Sequence, residues 1–154
     1  MKKRSRIIYF GILAVLMLSE MITSNFYSLV WPLKETAEIM GVSVSVERIR
    51  LIILIFLDAV PGAGALMAIH GYRRTEARRV GRLGVIVTTF GMLAYGCYQF
   101  WSATFQLGNM QGFVQLVGVV YALLGLAAWF IGGDLRQGLA STDPSMQSDP
   151  VSPP

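Results

Sequence analysis

Histidine and cysteine are nearly absent from this chain: His70 and Cys97 stand alone among 154 residues. One cysteine excludes an intrachain disulfide and any cysteine metal cluster, and a lone histidine cannot build a metal centre with carboxylates at a different depth. Charged residues are scarce too, at 14% against 54% hydrophobic, a balance that excludes a soluble domain of ordinary composition. No phosphate-binding glycine loop occurs, because Gly62-Ala63-Gly64 lies inside an apolar run and reads as a packing feature. A Ser/His/Asp arrangement would need His70 at the wrong depth. Neither a cofactor nor enzymatic chemistry is expected.

What the chain has in quantity is long apolar runs. Four of them, Ile7–Trp31, Leu51–Tyr72, Leu83–Gln106 and Gln111–Gly133, measure 22 to 25 positions each. About 20 apolar residues in a helix cross a bilayer core of about 30 Å. The expected fold is therefore an all-α integral membrane protein, a four-transmembrane-helix bundle over 1–138. Residues 139–154 read as a disordered cytoplasmic tail, since Ser141–Pro154 holds four of the six prolines and no aromatic residue.

The net charge of +4 has a topological cause. Lys2, Lys3, Arg4 and Arg6 precede the first run, Arg73, Arg74, Arg78, Arg79 and Arg82 separate the second from the third, and Arg136 follows the fourth. Only Lys34, Arg48 and Arg50 fall on the other side, an asymmetry of ten against three. The positive-inside rule then predicts N-in/C-in topology, in a bacterial-type cytoplasmic (inner) membrane. In a soluble protein that net charge would suggest nucleic acid; here the basic loop is a topology signal, with anionic lipid headgroups as a secondary ligand. The expected partners are the lipid bilayer and either further copies of the chain or another membrane subunit, with no nucleic acid.

The beginning of the chain resembles a signal sequence, basic and then apolar over Ile7–Leu18, but no small-x-small site follows and the run continues past Glu20. It is read as an uncleaved first span, with Tyr9 and Trp31 at the two interfaces. In the outer loop, Lys34–Met40 predicts a turn or two of helix that Gly41 ends. The alternation Val42-Ser43-Val44-Ser45-Val46 is too short to make a sheet alone. Ser45 is the expected N-cap of the second span, with Glu47 in its first turn. Cys97 is expected as a buried apolar filler, and His70 as a headgroup-level or capping residue.

Helical periodicity sorts the polar side chains into faces. The third span offers Gly84, Thr88, Gly91, Tyr95, Gln99, Ser102 and Gln106; the fourth offers Gln111, Gln115, Gly118, Ala122, Gly125, Ala128 or Trp129, and Gly132. Small residues let membrane helices approach and polar ones bond across the contact, so these two faces are expected to meet. The first span is polar only in its outer half, at Glu20, Thr23 or Ser24, Tyr27 and Ser28. The second carries Asp58, then Pro61 and Gly62, where a kink is expected because Pro61 has no N–H for the carbonyl of Leu57.

At 1.5 Å per residue, Glu20 lies roughly 20 Å from the inner surface, and Asp58, Tyr95 and Gly118 fall near that level. Ser24, Gln99 and Gln115 come about one turn further out. The inner half is closed by Leu, Ala and Gly. This predicts a polar pocket open to the outside, built from Glu20, Ser24, Asp58, Tyr95, Gln99 and Gln115. Two carboxylates at one level in a dry interior share a proton, or hold a cation or basic ligand between them. Alternatively, each is protonated and donates a hydrogen bond that fixes helix register.

Ile8-Tyr9-Phe10-Gly11, followed by Ala14 and Glu20 in a chain of four short spans, is similar to the first helix of the small multidrug resistance transporters. The resemblance covers about one helix and implies Glu20 as the acid that binds cation or proton. Asp58, the long outer loop and the proline-rich tail depart from that family, and its later motifs are missing.

The leading expectation is a small accessory or assembly subunit of a membrane complex. The alternative is a proton- or cation-coupled small transporter using Glu20 and Asp58, and an integral-membrane enzyme ranks third. A reporter domain fused after Arg136 is expected to be active only in the cytoplasm; activity on the outside would reverse the topology.

Overall fold

The computed structural model describes residues 2–30, 32–104 and 111–137. The first span is built in three pieces: α1 (Lys3–Glu20), a π-helical turn (Met21–Phe26) and α2 (Tyr27–Val30). An outer helix α3 (Leu33–Met40) leads into α4 (Val44–Arg73), the second span. A 3₁₀ turn (Thr75–Ala77) connects α4 to α5 (Arg78–Thr104), and α6 (Gln111–Ile131) is followed by the short α7 (Gly133–Gln137). Four stretches are long and apolar enough to cross a membrane: Lys3–Val30, Val44–Arg73, Thr75–Ala103 and Gly112–Ile131. The turn expected at Leu107–Met110, Trp31 and the tail expected over 139–154 lie outside the described residues.

Helix occupies 94% of the described residues and no strand occurs among them, so the alternating valines are not β structure. Val44 onward belongs to α4, whose N-cap is Ser43 rather than Ser45: the Ser43 hydroxyl accepts from the Val46 N–H at 3.3 Å. The second span thus starts at Val44 instead of Leu51. At 1.5 Å per residue its 30 residues run roughly 45 Å, longer than a core of about 30 Å, so it tilts or projects. The early turns carry a charge pair within the helix. Glu47 is buried and accepts two bonds from Arg50, 2.7 Å from Nε and 2.6 Å from Nη2. Gly41 ends α3 with φ of 67°, and the Val42 N–H reaches back to the Ala37 carbonyl at 3.0 Å, a Schellman stop.

The spans pack in chain order, α1 on α4, α4 on α5 and α5 on α6. The two middle spans are 39% and 44% buried against 22% for each outer one, so the middle pair is the core. Glycine sets its spacing. A Cβ added at Gly84 would lie 2.4 Å from the Ala68 nitrogen, and one at Gly71 would lie 2.3 Å from the Gly81 Cα. Gly91 lies against Pro61, which is carried inside an unbroken α4.

The small-residue face of the third span is therefore shared differently from the periodicity reading. Gly84, Thr88 and Gly91 pack on α4, while the contact with α6 uses Gly96 against Gly118 and Ala122, and Thr89 and Met92 against Gly125. Helix α5 sits between two neighbours and presents small residues to both, a division that one face of seven residues conceals. Two further expectations are corrected. Cys97 is exposed rather than buried. Tyr9 turns into the bundle, where its hydroxyl donates to the Leu124 carbonyl at 2.6 Å, instead of marking an interface.

Gly84→Leu is expected to destabilise the protein by about 1–3 kcal/mol, as overpacking does in a filled core. Gly11→Leu, where nothing lies within 4 Å of an added Cβ, is expected to be neutral. Thermal unfolding in detergent compares the two.

Candidate functional site

Glu20 ends α1, and the π-helical turn that follows decides which side chains accompany it. In that turn the Tyr27 N–H donates to the Ile22 carbonyl five residues back. A π turn aligns positions i and i+5, where an α-helix aligns i and i+4. Asn25 therefore faces the interior with Glu20, and Ser24 does not: Asn25 is buried and Ser24 is exposed. Ser24 as a pocket residue is thus a correction, and its cause is one residue of helical phase. Sequence periodicity missed Asn25 because 100° per residue was carried through a segment that does not obey it.

Around Glu20 the two carboxylate oxygens have separate donors. The Tyr95 hydroxyl, from α5, donates to Oε1 at 2.5 Å, and the Tyr121 hydroxyl, from α6, donates to Oε2. The two rings meet edge to face with centroids 4.7 Å apart, an attractive geometry for aromatic pairs. Gln99 lies one turn beyond Tyr95 and donates from Nε2 to its hydroxyl oxygen at 2.7 Å. This chain of donors, Gln99 to Tyr95 to Glu20, crosses from α5 to α1. Tyr121 was absent from the expected pocket, since α6 was read through Gln115 and Gly118. Gln115 is half-buried and takes no part in the carboxylate hydrogen bonds.

Asp58 occupies the middle of α4 and is fully buried. Its Oδ2 accepts from the Asn25 amide, while Oδ1 is buried with no hydrogen-bond partner. A buried polar oxygen without a partner costs about 1–3 kcal/mol. Asn25, one π turn beyond Glu20 on the first span, is the residue that links Asp58 to the Glu20 side of the bundle. The structure brings together Glu20, Asp58, Tyr95 and Gln99 from the expected set, adds Asn25 and Tyr121, and leaves Ser24 and Gln115 outside.

Pro61 and Gly62 follow Asp58 by one turn and shape the wall beneath it. The Pro61 carbonyl accepts from the Thr88 hydroxyl at 3.4 Å, a hydroxyl that also donates to the Gly84 carbonyl at 2.8 Å. A Cβ at Gly62 would lie 2.9 Å from the Leu18 side chain, so α1 packs tightly there. Below this level, Phe10, Leu13, Ala14, Met17, Ala65 and Ala68 are buried and apolar. The carboxylates therefore lie above an apolar plug. Among the described residues no cluster of three or more His, Cys, Asp and Glu is placed to hold a metal. His70 is exposed on the last turns of α4.

No protein-family model, curated protein or solved structure matches the chain.

The phase argument yields a direct comparison. Asn25→Leu is expected to destabilise the fold by about 0.5–2 kcal/mol, the range of side-chain hydrogen bonds between membrane helices, and Tyr121→Phe by a similar amount. Ser24→Ala is expected to stay within about 0.5 kcal/mol of the parent. Denaturant titration in mixed micelles measures all three; a larger loss at Ser24 than at Asn25 would remove the π-turn account.

Proposed function

We propose that this protein binds a proton or a small cation at the Glu20–Asp58 pair and couples that binding to transport across the membrane. The observation that carries the reading is the unpartnered Oδ1 of Asp58, a fully buried acid in the middle of a membrane-length helix. Both oxygens of Glu20 accept from tyrosine hydroxyls, so that acid is equipped as an acceptor. Asp58 has one donor and one vacancy in its bonding, which a proton on Oδ1 or a cation next to it fills. Proline within a helix leaves one carbonyl without its usual N–H partner, and Pro61 puts that carbonyl, on Leu57, next to Asp58. In this reading Pro61 and Gly62 bend α4 at the site, the pocket opens outward, and the apolar side chains below separate it from the inner surface. The orientation is N-in/C-in, in a bacterial-type inner membrane, with further copies of the chain enlarging the small volume that four helices enclose.

A second reading, an accessory or assembly subunit of a membrane complex, is supported by the outer spans. Each is only 22% buried, which leaves broad apolar faces for lipid or for neighbouring helices. In that case the carboxylate network fixes helix register. Co-purification in mild detergent with a stoichiometric foreign subunit favours this reading over transport.

Asp58→Asn and Glu20→Gln separate the two. Under the transport reading, the melting temperature of the purified protein rises with Na⁺ or shifts with pH, because a bound ligand stabilises by RT ln(1 + [L]/Kd). Both variants are expected to lose that dependence while remaining helical. Ion and pH responses equal to the parent in both variants would overturn the proposal.

A further inference from the structure

We infer that the inner end of the bundle carries a separate site for a phosphate group. A cavity of about 160 Å³, room for several waters, lies where α4 passes to α5. Lys3, Tyr72, Thr75, Arg78 and Asp134 supply its polar lining, over a floor at Gly71. These residues come from the start of α1, the end of α4, the 3₁₀ turn, the start of α5 and the short α7, so segments distant in sequence meet at the cavity.

Its charge balance favours an anion. Asp134 is the one carboxylate in the lining, and it is already engaged. Arg6 pairs with Oδ2, and the Tyr72 hydroxyl donates to Oδ1 at 2.8 Å. Among the described residues the ion pairs are Arg6–Asp134 and Arg50–Glu47, so neither Lys3 nor Arg78 has a carboxylate partner. The lining thus offers an ammonium, a guanidinium and the exposed Thr75 hydroxyl, beside an Asp134 carboxylate whose charge is matched by Arg6. Two charge-assisted donors from different helices suit the tetrahedral array of phosphate oxygens. Tyr72 holds the other wall in place, since its hydroxyl also reaches the Ile131 carbonyl at 3.2 Å.

The phosphate could belong to an anionic lipid headgroup or to a free phosphate, and one experiment distinguishes the sources. Full-length protein in mild detergent is titrated with dioleoylphosphatidylglycerol and separately with inorganic phosphate, and bound ligand is counted by native mass spectrometry. The parent is expected to retain one of the two probes. The double variant Lys3→Gln/Arg78→Gln is expected to lose about thirtyfold in affinity, from about fivefold per basic residue at a membrane surface. Arg74→Gln/Arg79→Gln removes the same charge from exposed residues outside the lining and is expected to keep most of the binding. Retention of the lipid alone assigns a headgroup site; retention of inorganic phosphate assigns a free-phosphate site. Equal losses in the two double variants would reduce the effect to diffuse surface charge and overturn the inference. So would unchanged affinity in Lys3→Gln/Arg78→Gln, or no binding of either probe.

Discussion

A carboxylate inside a membrane-spanning bundle must find its hydrogen-bond donors within the protein, because hydrocarbon offers none. Much of the middle of this molecule is arranged around that requirement. Glu20 takes one donor from α5 and another from α6, and Asp58 takes one from the first span. Each bond joins two different spans, so the polar groups at this level link all four helices. The glycine contacts of α4, α5 and α6 provide the close packing that keeps those donors in range.

The two ends of the bundle handle charge in different ways. At the end where α4 begins, Glu47 is buried and closed off by a two-pronged bond from Arg50 on its own helix. At the end where α4 finishes, Arg6 and Asp134 bring the beginning of the first span to the residues after the fourth. Arg136 lies over the Trp129 ring at 3.4 Å and donates to the Trp129 carbonyl at 2.9 Å, which ties α7 back to α6. Basic side chains are thus partly consumed in fixing the helix ends, and Lys3 and Arg78 are among those left over.

The four spans were legible in the sequence because a bilayer imposes a length and a composition that few other folds share. Glu20, Asp58, Tyr95 and Gln99 were legible as a group because depth along a helix follows from counting residues. Rotation about the helix axis was less secure. Met21–Phe26 departs from α-helical phase, which exchanged Ser24 for Asn25, and nothing in that apolar and hydroxyl-rich stretch announces a π turn. Helix α5 has neighbours on two sides, so its small residues had to be divided between them by the structure. Tyr121 escaped notice because an aromatic on an apolar helix is ordinarily core.

The first and fourth spans meet differently from the others. Their backbones do not mesh through glycine; the recorded links are the hydroxyls of Tyr9 and Tyr121, which reach across to Leu124 and Glu20. The spans are therefore tightly packed in chain order from first to last, and the tyrosine struts close the seam between the two ends of that series. Such a seam can part by breaking a few hydrogen bonds, with the glycine contacts left intact. Because one strut ends on Glu20, that carboxylate is itself part of what closes the seam.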